Sequence, residues 1–128
     1  MKPLTHDWVE KAEGDFWVAT QIMRQRKKRI YDAVCFHCQQ TIETYFKARL
    51  LEAGLGFPKT HDLVVLLDSL ITIEPLWKSY EAAVKELTEY AVSFRYPGEN
   101  ATLAEAKVAL KYCRSLRAEA RRSLGLKN

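Results

Sequence analysis

"YDAVCFHCQQTIETYFKARL", residues 31–50, carries two patterns at once. Tyr31, Val34, Cys35, Cys38, Ile42, Tyr45, Phe46 and Leu50 recur at the three- and four-residue spacing of one apolar helix face. At about 100° per residue, His37, Gln40, Glu43, Thr44 and Lys47 share a second arc of roughly 120°. The same periodicity extends in both directions, and strand patterns are scarce. The chain therefore reads as all-α, an up-and-down antiparallel bundle of about five helices.

Working outward, a first helix is expected from about Asp7 to Lys28, with Trp8, Ala12, Phe16, Ala19 and Met23 on one stripe. The quoted helix should run from about Tyr31 to Ala53, where Gly54 and Pro58 of "GLGFP" break it. A third begins after Thr60, with Leu63, Leu66, Leu67 and Leu70 inward. A fourth opens at Glu74-Pro75, since proline suits a first turn, and buries Leu76, Tyr80, Val84, Leu87, Ala91 and Phe94. "RYPGEN", residues 95–100, ends it. The last helix starts near Asn100 or Thr102, where Thr102 and Glu105 have capping-box spacing, and stops at Gly125.

A length of 128 residues points to one domain, 1–128, burying roughly two-thirds of its unfolded surface. No apolar run nears the ~20 residues of a membrane span, and the first residues lack a signal-peptide pattern. Three cysteines make no disulfide framework, so a reducing cytoplasm is the expected setting. Cys35 and Cys38 lie on the apolar stripe with no second Cys/His pair, so core packing is expected rather than a metal or redox site. No cofactor is called for. The net charge of +4 permits an anionic partner without requiring one.

Four stretches bear on function. The polar ridge on residues 37–47 reads either as a solvated face with an i,i+4 Glu43/Lys47 pair or as a directed network facing a groove or partner. "RQRKKR", residues 24–29, sets five cations at the end of the first helix, where they complement its dipole or contact phosphates. Lys107, Lys111, Arg114, Arg121 and Arg122 form a second basic surface within about a 100° arc. In "KTHDL", residues 59–63, Thr60 is a competent N-cap and Asp62 suits the first turn, but neither role explains Lys59 or His61. Lysine beside a helix N-terminus fits phosphate capture. Arg95, before Tyr96-Pro97, either caps carbonyls or offers a guanidinium to phosphate. A third helix antiparallel to the second would carry residues 59–62 and 95–98 toward one end of the bundle.

"FHCQQTIETYFKA", "KTHDL" and "RYPG", in this order and spacing, resemble the prokaryotic HEPN (higher eukaryotes and prokaryotes nucleotide-binding) domain over about residues 5–122. Gln39-Gln40, Glu43, Lys47, Lys59 to Leu63, and Arg95 to Pro97 occupy the matching positions; Thr41 stands where alanine is commoner. The resemblance implies a helical bundle that forms a homodimer and acts beside a minimal nucleotidyltransferase in a toxin–antitoxin-type pair. It implies nucleotide or RNA binding in which Lys47, Lys59 and Arg95 neutralise phosphate. Tyr96 would stack, while His37, Gln40, Glu43, His61 and Asp62 complete the polar set.

Many HEPN domains are metal-independent ribonucleases with an arginine, four to six intervening residues, then a histidine. Here His61 is the last histidine, and seven residues separate Arg29 from His37, so that motif is absent. A non-catalytic binding module is the leading expectation. A ribonuclease built from His61 and Arg95, or a purely structural dimerisation protein, are the alternatives.

Overall fold

A computed structural model describes residues 1–128 as an all-helical bundle. Its elements are α1 (Pro3–Arg24), α2 (Tyr31–Glu52), α3 (Leu63–Leu70), a 3₁₀ helix (Pro75–Tyr80), α4 (Glu81–Ser93) and α5 (Leu103–Ser123). No helix is long and apolar enough to cross a membrane.

α2 is the axis on which the others pack. Its apolar stripe is buried as the periodicity requires, but so are Gln39, Thr41, Glu43, Thr44 and Lys47 on its other faces. The solvated-face reading of the ridge is therefore overturned. α1 lies antiparallel on α2, with Thr5 Oγ1 donating to Glu52 (2.9 Å) at one end and His37 Nδ1 donating to Asp15 (2.8 Å) toward the other. α5 runs in the same sense as α2, because Ala101 N bonds Asp32 (2.6 Å) while Arg49 Nε reaches Ser123 (2.6 Å). Between α1, α2 and α5, Glu13 accepts two bonds from Arg117 (both 2.7 Å) and one from the Tyr45 hydroxyl. The Arg117 guanidinium also lies 4.3 Å from the Phe16 ring centroid.

Several helix ends differ from expectation. α1 begins at Pro3, which serves as its first residue, and ends at Arg24 rather than Lys28. A longer helix would stack Arg24 on Lys28, a like-charge pair one turn apart. The chain instead extends at Gln25 and turns left-handed at Lys28 (φ 55). Arg24 thus closes the last helical turn, while Arg26, Lys27, Lys28 and Arg29 lie on the connection that follows.

α3 is capped by Asp62, whose side chain accepts from Val64 N (2.9 Å); Thr60 steps back and accepts from Asp62 N (3.0 Å). The expected fourth helix is split into the 3₁₀ segment and α4. The tighter 3₁₀ winding rotates Leu76 outward, leaving it 87% exposed, and puts Trp77 in the core instead. The Thr102/Glu105 capping box forms, with bonds of 2.9 and 3.1 Å. On α5, Arg121 turns in to the Tyr45 hydroxyl (2.9 Å) and Arg122 pairs with Glu119, so the second basic surface keeps only Lys107, Lys111 and Arg114 as exposed, unpaired cations.

Cys35, Cys38 and Cys113 are all part of the 25-residue apolar core. Burial, reinforced by the Glu105 and Asp32 charges, pushes the Cys35 thiol up to about 12, so it packs as a small hydrophobe and not as a thiolate.

The topology departs from strict up-and-down alternation at one place. Gly54, with φ 75, closes α2 in a Schellman turn: Leu55 N bonds Leu50 O and Gly54 N bonds Leu51 O, each at 2.9 Å. The connection of residues 53–62 then folds back along the bundle, fastened by Phe57 edge-on to Trp8 (5.7 Å). α3 consequently starts level with Gln39 and Glu43 and runs in the same sense as α2, ending where Arg49 meets Glu74 (3.3 Å). An α3 antiparallel to α2 is not what forms. α4 then returns in the opposite sense.

Candidate functional site

Because residues 53–62 fold back, His61 arrives beside the middle of α2. Its Nδ1 donates to Glu43 Oε1 (2.9 Å). Glu43 also accepts from Gln39 Nε2 (3.1 Å) and, through Oε2, from Lys47 Nζ (3.0 Å). Three donors converge on one buried carboxylate, so each donor's orientation is determined. The Gln39 amide nitrogen is further committed to the His61 carbonyl (2.8 Å). Its oxygen therefore faces Gln40, which donates to it (2.9 Å). The chain of bonds leaves the Gln40 carbonyl and one of its N–H groups free. With Nδ1 donating, His61 presents an unbonded Nε2 on a side chain that is 81% exposed.

This network floors a groove of about 470 Å³ lined by Phe36, Gln39, Gln40, His61, Asp62, Thr88, Ala91, Val92 and Arg95. α2 supplies one wall, the α3 N-terminus a second, and the C-terminal half of α4 with the turn after it the third. Thr88 braces the last two, donating to Val84 O (2.9 Å) and accepting from Leu63 N (3.1 Å). Arg95 is exposed just past α4, and its guanidinium forms no ion pair within the chain. The nearest carboxylate in the lining, Asp62, is occupied in capping α3. A groove holding an unpaired guanidinium, a fixed imidazole and amide donors suits an anionic ligand with hydrogen-bonding groups.

Of the residues expected at the site, Gln40, His61, Asp62 and Arg95 meet in this groove, with Glu43 directly beneath. Lys47 lies one layer further back. Its ammonium sits on Glu43 and within 5.9 and 5.7 Å of the Trp8 and Phe57 rings, so it orients the carboxylate rather than lining the groove. His37 faces the other way, bonded to Asp15. Lys59 is exposed on the connection, and Tyr96, 66% exposed, stands outside the lining.

The expected site residues omit Gln39 and Phe36, and also Thr88 and Val92. A signal for the first two exists: Phe36, Gln39 and Gln40 stand at i, i+3 and i+4 on one helix. Nothing in the order of residues places Thr88 or Val92 there.

Fold and site together define an all-α bundle whose central helix carries a buried ionic network under a groove of mixed polar and apolar lining. The chain belongs to the HEPN domain family, whose model matches residues 5–123. Among solved structures it is similar to the crystal structure of TT1696 from Thermus thermophilus. The TM-score is 0.78 at 23% identity, over 93% of this chain and 97% of that one. That likeness concerns the fold. Among curated proteins no sequence matches.

Proposed function

We propose that the protein is a HEPN module that binds a nucleotide or RNA through the α2–α3–α4 groove. In this reading it works in the cytoplasm as a homodimer beside a minimal nucleotidyltransferase, in a toxin–antitoxin-type pair. The observation that carries the binding role is the unpaired Arg95 guanidinium lining the same groove as His61 and Gln40. Arg95 takes a phosphate, His61 Nε2 and Gln40 take polar atoms of the nucleoside, and Lys47 acts indirectly by holding Glu43. Lys59 and Tyr96 serve from the rim. Genomic adjacency to a nucleotidyltransferase gene supports or removes the partner.

Arg95→Ala removes a charge-assisted bond of about 1.5–3 kcal/mol, roughly a 10- to 150-fold loss in affinity for ATP or a short RNA. The melting temperature should not change, because Arg95 supports no other side chain. Calorimetric titration of both forms is the check, and equal affinities would remove Arg95 from the site.

A ribonuclease reading draws on a separate observation, the Glu43–His61 bond that leaves Nε2 free beside Arg95. His61 Nε2 would accept the ribose 2′-hydroxyl proton as that oxygen attacks phosphorus. Arg95 would stabilise the phosphorane, and the imidazolium would return the proton to the departing 5′-oxygen. Cleavage that survives EDTA and disappears in His61→Ala is the expected result; cleavage unchanged in that variant belongs to a contaminant or to another site.

A further inference from the structure

The binding role proposed above leaves the densest charge in the chain unused. Arg24, Arg26, Lys27 and Lys28 are all exposed and form no ion pair, whereas Arg29 folds back to the Gln25 carbonyl. The connection leaves the helical path after Arg24 and is left-handed at Lys28.

Its position matters more than its charge. The connection runs directly into α2 at Tyr31, and Phe36 of the groove lies five residues on, about 8 Å along the helix axis. The turn bearing Arg95 leads into Ala101, whose N–H bonds Asp32 (2.6 Å) in the first turn of α2. The basic connection, the Phe36 side of the groove and the Arg95 turn therefore share one end of the bundle. A free nucleotide with its phosphates on Arg95 leaves the connection empty. A polynucleotide strand carries further phosphates beyond the nucleotide in the groove, and the cations at this end of the bundle can neutralise them.

We infer that residues 24–28 hold the phosphate backbone of a single-stranded polynucleotide, one nucleotide of which occupies the groove. The inference rests on the groove reading and names its ligand as a polymer. A single strand is favoured over a duplex because Phe36 (41% exposed) and Val92 (57% exposed) offer an apolar wall beside Gln40, which only an unstacked base can use.

The test compares wild type with an Arg24→Gln, Arg26→Gln, Lys27→Gln, Lys28→Asn variant. Asparagine is chosen at 28 because it tolerates the left-handed backbone. Binding of a short single-stranded RNA, of ATP and of anionic phospholipid vesicles is measured at several salt concentrations.

The expected result is about a tenfold or greater loss of RNA affinity, with a log–log salt slope shallower by roughly 2–3 and ATP binding unchanged. RNA affinity and slope that stay the same, while ATP binding still requires Arg95, overturn this inference and leave the groove reading intact. Vesicle binding by a protein that ignores RNA overturns it in favour of a membrane surface. Failure of both ATP and RNA to bind wild type overturns the groove reading itself.

Discussion

Glu43→Ala is expected to lower stability by about 3–5 kcal/mol, because it strands a buried ammonium. Lys47 and Glu43 have side chains only 10% and 6% exposed, so water cannot replace the missing partner. Trp8 and Phe57 give the lysine quadrupole attraction but no hydrogen-bond acceptor. The same substitution frees His61 and removes one acceptor from Gln39, so the groove loses its floor as the fold weakens. For a domain of this size the melting temperature should fall by roughly 10–20 °C.

Glu43→Leu combined with Lys47→Met should recover most of the loss, since paired apolar groups remove both buried charges. That double variant should nonetheless bind ligand poorly, because nothing then orients His61. Thermal melts and ligand titration of the three forms check this. A Glu43→Ala protein melting with wild type would show that the ion pair contributes nothing to stability.

Glu13→Gln is expected to cost about 2 kcal/mol at neutral pH and progressively less in acid. Burial alone would raise the Glu13 carboxyl, but the Arg117 and Tyr45 hydrogen bonds, with the Arg117 and Arg121 charges, outweigh it and hold the group below its usual 4.5. A carboxylate whose pKa is lowered on folding stabilises the folded state above the unfolded value, and that contribution disappears as pH falls through the folded one. Wild type and variant should therefore differ most above about pH 4.5 and converge below it. Denaturant unfolding from pH 7 to pH 3 measures the difference. A gap that stays constant across that range would mean the loss comes from packing, not from the carboxylate's charge.

Periodicity foretold the helices where one face is apolar, which is why α1, α2 and α5 stand close to their expected positions. It failed where local geometry, not hydrophobic spacing, sets the backbone. Asp62 supplanted Thr60 as the cap of α3, and a 3₁₀ segment replaced the first turn and a half of the fourth helix, turning Leu76 out and Trp77 in. The ridge from His37 to Lys47 was visible as a pattern, but its burial was not. A helix with polar groups on one side reads as half-solvated unless neighbours cover that side, and here Trp8, Phe57 and His61 do so.

By itself, the sequence of this protein determined an all-α bundle, its family and most of the polar residues that meet in the groove and the network beneath it. Only the tertiary structure decided that His61 and Arg95 share a groove while His37 and Lys47 do not. The reason is the return of residues 53–62 along the bundle, which depends on long-range contacts such as Phe57 on Trp8 and Gln39 on the His61 carbonyl. Residue order encodes helix faces through local spacing; it does not encode which faces a connection crosses, because that depends on the packing of segments far apart in the chain.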